Sequence, residues 1–138
     1  PYKGNGPAAV ALLTGESTMM FGSGPSVVPH VNNGKLRALA TTGKKRSISE
    51  LPAMAELLPG YEVTQWYGIL VPAGTPKDIV DRLNQEMVRA IANPKIAAMF
   101  VKLGTQPVST TSDEFAAFIK SEQAKYAKVI RDAGIKAN

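Results

Sequence analysis

The chain has 138 residues, 44% hydrophobic and 20% charged, with a formal net charge of +5. That is enough chain and enough apolar material for an ordinary globular core, and it argues against disorder. There is no cysteine and one histidine, which excludes disulfides, thiolate chemistry and a zinc constellation of the usual kind. No stretch of about 18 apolar residues occurs, so no helix is expected to span a membrane. Lys44-Lys45-Arg46 is the one basic cluster; three residues of that kind read as a solvated loop, not a nucleic-acid surface. The first residue is Pro1, with no charged-then-apolar leader before it, and the expectation is a processed, trimmed or partial chain.

In chain order, residues 2–6 (Tyr-Lys-Gly-Asn-Gly) read as a glycine-rich turn feeding a short helix from Pro7 through Leu13. That helix is apolar nearly all round and is expected to be well buried. Two readings of Gly4 and Gly6 stay open: plain turn chemistry, and bare amides at a helix N-terminus facing an anionic group. A phosphate loop is excluded, since the Gly-Lys-Ser/Thr ending is missing. Residues 18–21 (Thr-Met-Met-Phe) predict a buried strand. Gly22-Ser23-Gly24-Pro25-Ser26 then turns into a second helix, around residues 27–32, ended by Asn33-Gly34. The strand–glycine turn–helix pattern thus occurs twice, and such turns are where open α/β sheets bind ligands. Ser23 and Ser26 are hydroxyl donors there, or helix caps.

Residues 36–41 predict a third strand, and short helical crossovers imply a parallel α/β arrangement. A polar loop over 42–49 and a short helix over 50–58, closed by Pro59-Gly60, follow. Residues 61–71 are rich in aromatic and β-branched side chains and predict one long strand. Thr75 is placed to cap the next helix, with Pro76 at its first position. Ile79, Val80, Leu83, Met87 and Ile91 repeat at helical spacing along it. Asn93-Pro94 ends that helix and opens another, with Ile96, Met99, Phe100 and Leu103 inward and Gly104 as its C-cap. Gln106-Pro107-Val108 suits a short edge strand. Thr111-Ser112-Asp113-Glu114 fits a capping box. Phe115, Phe118, Ile119, Tyr126, Val129 and Ile130 form the stripe of the last helix, and Gly134 closes it.

The chemistry available is sparse. His30 is the only candidate imidazole base, Gly-x-Ser-x-Gly is absent, and Phe21-Gly22-Ser23-Gly24 falls short of a nucleophile elbow. The carboxylates fall mainly on predicted exposed helix faces. The reading is a protein that binds without catalysing and needs neither metal nor cofactor. The competing reading is half of an α/β enzyme acting on small carboxylates, its catalytic residues lying outside this chain.

One set of motifs, taken in order and at its intervals, resembles a known family. Pro1-Tyr2-Lys3-Gly4, Pro7-Ala8, Gly15, Met20-Phe21, residues 36–40 and Lys45-Arg46-Ser47 begin it. Leu58-Pro59-Gly60-Tyr61-Glu62, Trp66-Tyr67-Gly68, residues 72–76 and Ala133-Gly134-Ile135-Lys136 complete it. Together they resemble the substrate-binding receptors of tripartite tricarboxylate transporters, the Bug receptors. The resemblance implies a periplasmic protein of the type II binding-protein kind, with two α/β lobes around a cleft for a small organic carboxylate. It implies delivery to integral-membrane transporter subunits. It also implies that this chain is the C-terminal half of a receptor.

On that implication residues 1–60 belong to the second, ligand-binding lobe, 61–76 to a crossing strand and turn, and 77–138 to the first lobe. The ligand-binding residues carried over are Tyr2, Lys3, Gly4, Asn5, Gly6, Gly22 and Ser23. Trp66, Tyr67 and Gly68 mark the hinge. Many family members place Asp where this chain has Thr18, and Asp or Asn where it has Gly22 and Ser23. Fewer acids in the cleft suit a purely anionic ligand over one bearing an ammonium group. The half-receptor alone, lacking its N-terminal half, is expected to self-associate.

Overall fold

The computed structural model describes residues 2–136; Pro1, which opens the motif above, lies outside them. Six helices form among these residues. They are α1 (Asn5–Leu13), α2 (Gly24–Asn32), α3 (Met54–Leu57), α4 (Lys77–Ala92), α5 (Pro94–Lys102) and α6 (Ser112–Asp132). The chain divides into two compact units. Residues up to Ile69 with Pro94–Pro107 make the first; Leu70–Asn93 with the chain from Val108 onward makes the second.

In the first unit α1 packs on α2. Helix α1 starts two residues earlier than expected and α2 three residues earlier, because each captures the residues of its glycine turn as a first helical turn. Burial on α1 is confined to Ala9 and Ala11, while Val10 is 58% exposed, so the expected well-buried helix is buried on one side only. Helix α3 is a single turn within the span where a longer one was expected.

The predicted strands are the larger difference. Among the described residues no two extended segments form a ladder. There is one isolated parallel bridge, between Thr41 and Ala53. The Thr41 amide donates to the Pro52 carbonyl and the Met54 amide to the Thr41 carbonyl, each at 2.8 Å, and the Val63 amide donates to the Thr42 carbonyl at 3.0 Å. Composition favours an extended backbone in these segments, but a strand is completed by a neighbour's N–H and C=O groups. These residues do not supply that neighbour.

A short polar network braces the loop over 42–58. Arg46 donates to both oxygens of Glu56, Nε to Oε1 at 2.7 Å and Nη2 to Oε2 at 2.6 Å. Glu56 Oε1 also accepts from the Ala53 amide at 2.9 Å. Lys44 pairs with Glu62 at 3.2 Å. Two of the three charges in the basic cluster are therefore committed to carboxylates. The guanidinium hydrogen bond, then the Ala53 amide, hold Glu56 down at about 2 from its ordinary 4.5. The folded value lies below the unfolded one. The pair's stabilising effect is therefore full above about pH 4.5 and lost as the pH falls through about 2. An NMR titration of the Glu56 carboxyl should find its midpoint near 2 in the native chain. In Arg46→Met it should move back toward the ordinary range; an unmoved midpoint would discount the ion pair.

In the second unit α4 packs on α6. Pro76 is the N-cap of α4, not its first helical residue, and Thr75 does not cap. The Thr75 hydroxyl instead donates to the Pro72 carbonyl at 2.8 Å, closing the preceding turn. The capping box of α6 forms as expected. Thr111 Oγ1 accepts from the Glu114 amide at 3.2 Å, and Glu114 Oε2 accepts from the Thr111 amide at 2.8 Å. Asn84 of α4 donates to the Thr110 carbonyl at 2.9 Å, tying that cap to its neighbour helix.

The stripe of α6 holds one residue that hydrophobicity alone passes over. Glu122 lies at helical spacing between Ile119 and Tyr126 and, at 9% exposure, is the one buried charged residue among those described. Its Oε1 is 3.3 Å from Lys125 Nζ, while Oε2 is buried with no hydrogen-bond partner. An unpaired buried oxygen carries a desolvation penalty that an apolar side chain of similar size avoids. Glu122→Met should raise stability by about 1 kcal/mol, read as the midpoint of urea unfolding. A drop of that size would show that the carboxylate is well satisfied.

Candidate functional site

The residues expected to bind ligand lie in the first unit, at the start of α1 and the start of α2. Gly4 is the N-cap of α1, with φ 104° and ψ −178°. That conformation lets the chain leave Tyr2 and Lys3 and enter the helix at once, so Asn5 and Gly6 sit in the first helical turn and not in a loop. Lys3 is exposed. The Tyr2 hydroxyl donates to Glu16 Oε1 at 2.9 Å. That bond, with minor help from burial and from the carboxylate's charge, holds the phenol above its usual range.

Ser23 is the N-cap residue of α2, yet its hydroxyl makes no capping bond. Ser23 Oγ instead accepts from Asn5 Nδ2 at 3.2 Å and lies 2.5 Å from Ser26 Oγ, whose own contact to the Ser23 carbonyl is 2.9 Å. One side-chain bridge thus joins the two helix starts, from Asn5 at the first turn of α1 to the cap of α2. Neither helix has an acidic residue in its first turn, and neither has a side chain accepting from its first amides. The positive ends of both helix dipoles are left uncompensated by the described residues.

Gly22 and Gly24 are there for space. A Cβ on Gly22 would meet Val27 Cγ1 at 2.5 Å, and one on Gly24 would meet the Leu103 carbonyl oxygen at 2.2 Å. The start of α2 is therefore seated against the turn that ends α5, in the same unit.

The structure brings Asn5 and Ser23 into direct contact and places Tyr2 and Gly4 at the start of α1. It does not bring Ser23 to His30: the Ser23 hydroxyl is taken up by Asn5 and Ser26. No group of three or more His, Cys, Asp or Glu able to hold a metal occurs among the described residues. Sequence reasoning missed Glu16 as the anchor of Tyr2, since nothing local marks a carboxylate 14 positions away. Ser26 it read as a donor or a cap; its role in holding the Ser23 hydroxyl follows from their one-turn separation.

Residues 1–135 match the family model of the tripartite tricarboxylate transporter family receptor. The chain belongs to that family. It is 36% identical over 139 residues to Protein BugT of Bordetella pertussis, covering 99% of this chain and 43% of BugT. Among solved structures it resembles R. palustris Rpa4515 with adipate, at TM-score 0.90 and 31% identity, over 97% of this chain and 46% of that one. It also resembles the periplasmic binding protein BugD, at TM-score 0.88 and 30% identity, over 100% of this chain and 48% of BugD. This chain therefore spans less than half the length of each of these three relatives, and its backbone follows that of the solved periplasmic binding protein BugD.

Proposed function

We propose that the chain is the C-terminal half of a periplasmic receptor that captures a small organic carboxylate between two α/β lobes and passes it to membrane transporter subunits. The observation carrying this is the tied pair of helix starts. Two uncompensated N-termini, held together through Asn5 and Ser23, belong to a chain that follows a relative solved with adipate. Backbone amides and helix dipoles favour an anion without the entropy cost of ordering long charged side chains. Tyr2, Lys3, Gly4, Asn5, Gly6, Gly22 and Ser23 are the proposed contacts.

The proposed protein binds without turnover. Among the described residues Glu16 is the one acidic group tied to the proposed contacts, and one of its oxygens is already engaged by Tyr2. That supports a purely anionic ligand over an amino acid. The hinge is proposed at Trp66, Tyr67 and Gly68; the boundary between the two compact units, after Ile69, lies beside them.

The test is calorimetry and thermal unfolding of the whole receptor with adipate, shorter dicarboxylates, tricarboxylates and aspartate. A ligand at a hundred times its Kd should stabilise the receptor by about 2.7 kcal/mol. Dicarboxylates should do so and aspartate should not. A receptor indifferent to every carboxylate would sink the reading; one preferring aspartate would overturn the choice of ligand.

A further inference from the structure

The contact between Ser23 and Ser26 restricts where the proton of the Ser23 hydroxyl can go. The two hydroxyl oxygens lie 2.5 Å apart and either can be the donor; at that separation one hydroxyl has to donate to the other. Ser26 Oγ is also 2.9 Å from the Ser23 carbonyl oxygen. That carbonyl already accepts from the amides of Ser26 at 3.0 Å and Val27 at 3.2 Å. A carbonyl oxygen has two lone pairs, so the Ser26 hydroxyl is a third donor there and can leave without stranding it.

A hydroxyl carries one proton and two lone pairs, which leaves two arrangements. In the first, Ser26 donates to the Ser23 carbonyl and Ser23 donates to Ser26, so both protons are used inside the cap of α2. In the second, Ser26 donates to Ser23. Ser23 Oγ then accepts twice, from Ser26 and from Asn5 Nδ2 at 3.2 Å, and its own proton points away from both. Ser23 and Asn5 are each only partly buried, so that proton can meet a solute. Accepting two hydrogen bonds also polarises the Ser23 O–H and strengthens its donation.

We propose that Ser26 is a positioning residue of the carboxylate site: by donating to Ser23 Oγ it turns the Ser23 proton outward, onto an oxygen of an ionised carboxylate. The inference rests on the reading of this chain as part of a carboxylate receptor, and adds how that site reads charge. With both lone pairs taken, Ser23 presents a donor alone. An ionised carboxylate, which only accepts, is matched; an ammonium group, which only donates, finds no acceptor on Ser23.

Calorimetry of the whole receptor with adipate, succinate and citrate, on a double-mutant cycle at Ser23 and Ser26, tests it. Ser23→Ala should weaken carboxylate binding about tenfold, the loss of one hydrogen bond to a charged group. Ser26→Ala should weaken it about threefold to fivefold, and Ser26→Thr, which keeps the hydroxyl, should restore it. In the Ser23→Ala background Ser26→Ala should cost nothing further, because no hydroxyl remains for it to orient. Additive losses, or Ser26→Thr as weak as Ser26→Ala, overturn the inference and leave the carboxylate reading standing. A wild-type receptor that takes up none of the three acids removes both.

Discussion

Gly24→Ala should cost about 3 kcal/mol of stability, a fall in Tm of roughly 10 °C. The added methyl would sit 2.2 Å from the Leu103 carbonyl oxygen and 3.1 Å from the Gly104 carbonyl carbon and oxygen. All three are backbone atoms. No rotamer change relieves the contact, so α2 has to move off the end of α5. Gly104 answers from the other side: it has φ +68°, and a Cβ there would meet Val28 Cγ2 at 3.0 Å. Gly6→Ala is the control, since Gly6 lies inside α1 with nothing within 4 Å of its Cβ position. There an alanine should be neutral or stabilising by up to about 1 kcal/mol. Thermal unfolding of both variants decides it. Equal Tm values would mean that α2 is not seated against Leu103. Because Ser23 precedes Gly24, the displaced helix should also break the Asn5–Ser23 bridge and weaken carboxylate binding in the whole receptor.

Local signals of helix proved readable and signals of pairing did not. The capping box at Thr111 and the stripe of α4 involve residues a turn or two apart, so the sequence carries the whole interaction. Asn93-Pro94 likewise marked the break between α4 and α5, and Gly104 the end of α5. The extended segments depend on neighbours that no local pattern can name, and the described residues hold only the Thr41–Ala53 bridge. For the proposed site, the family motif supplied the expected contacts, and their connections were not legible. Asn5 and Ser23 both stood among the expected contacts, but that Asn5 bonds the Ser23 hydroxyl could not be read from either turn alone. Gly24 read as turn chemistry because its partner, Leu103, is distant in sequence.

Gly4→Ala separates backbone shape from packing, and its largest effect should be on ligand binding. Gly4 has φ 104° and ψ −178°, a conformation open essentially to glycine alone. Nothing lies within 4 Å of its Cβ position, so the penalty is conformational, about 1–3 kcal/mol. The chain can escape that strain by rotating residue 4 into the ordinary extended region, which redirects Tyr2 and Lys3 and frees the first turn of α1. The stability loss should then be small, because little is buried ahead of Ala9, while affinity for a dicarboxylate falls at least about tenfold through the displaced amides. D-alanine at position 4, introduced by chemical synthesis of the segment, accepts a positive φ without strain. It should restore affinity where L-alanine does not. If both alanines bind as glycine does, the turn at Gly4 plays no part in holding the ligand; if both fail equally, the site requires the missing side chain itself, as room for the carboxylate.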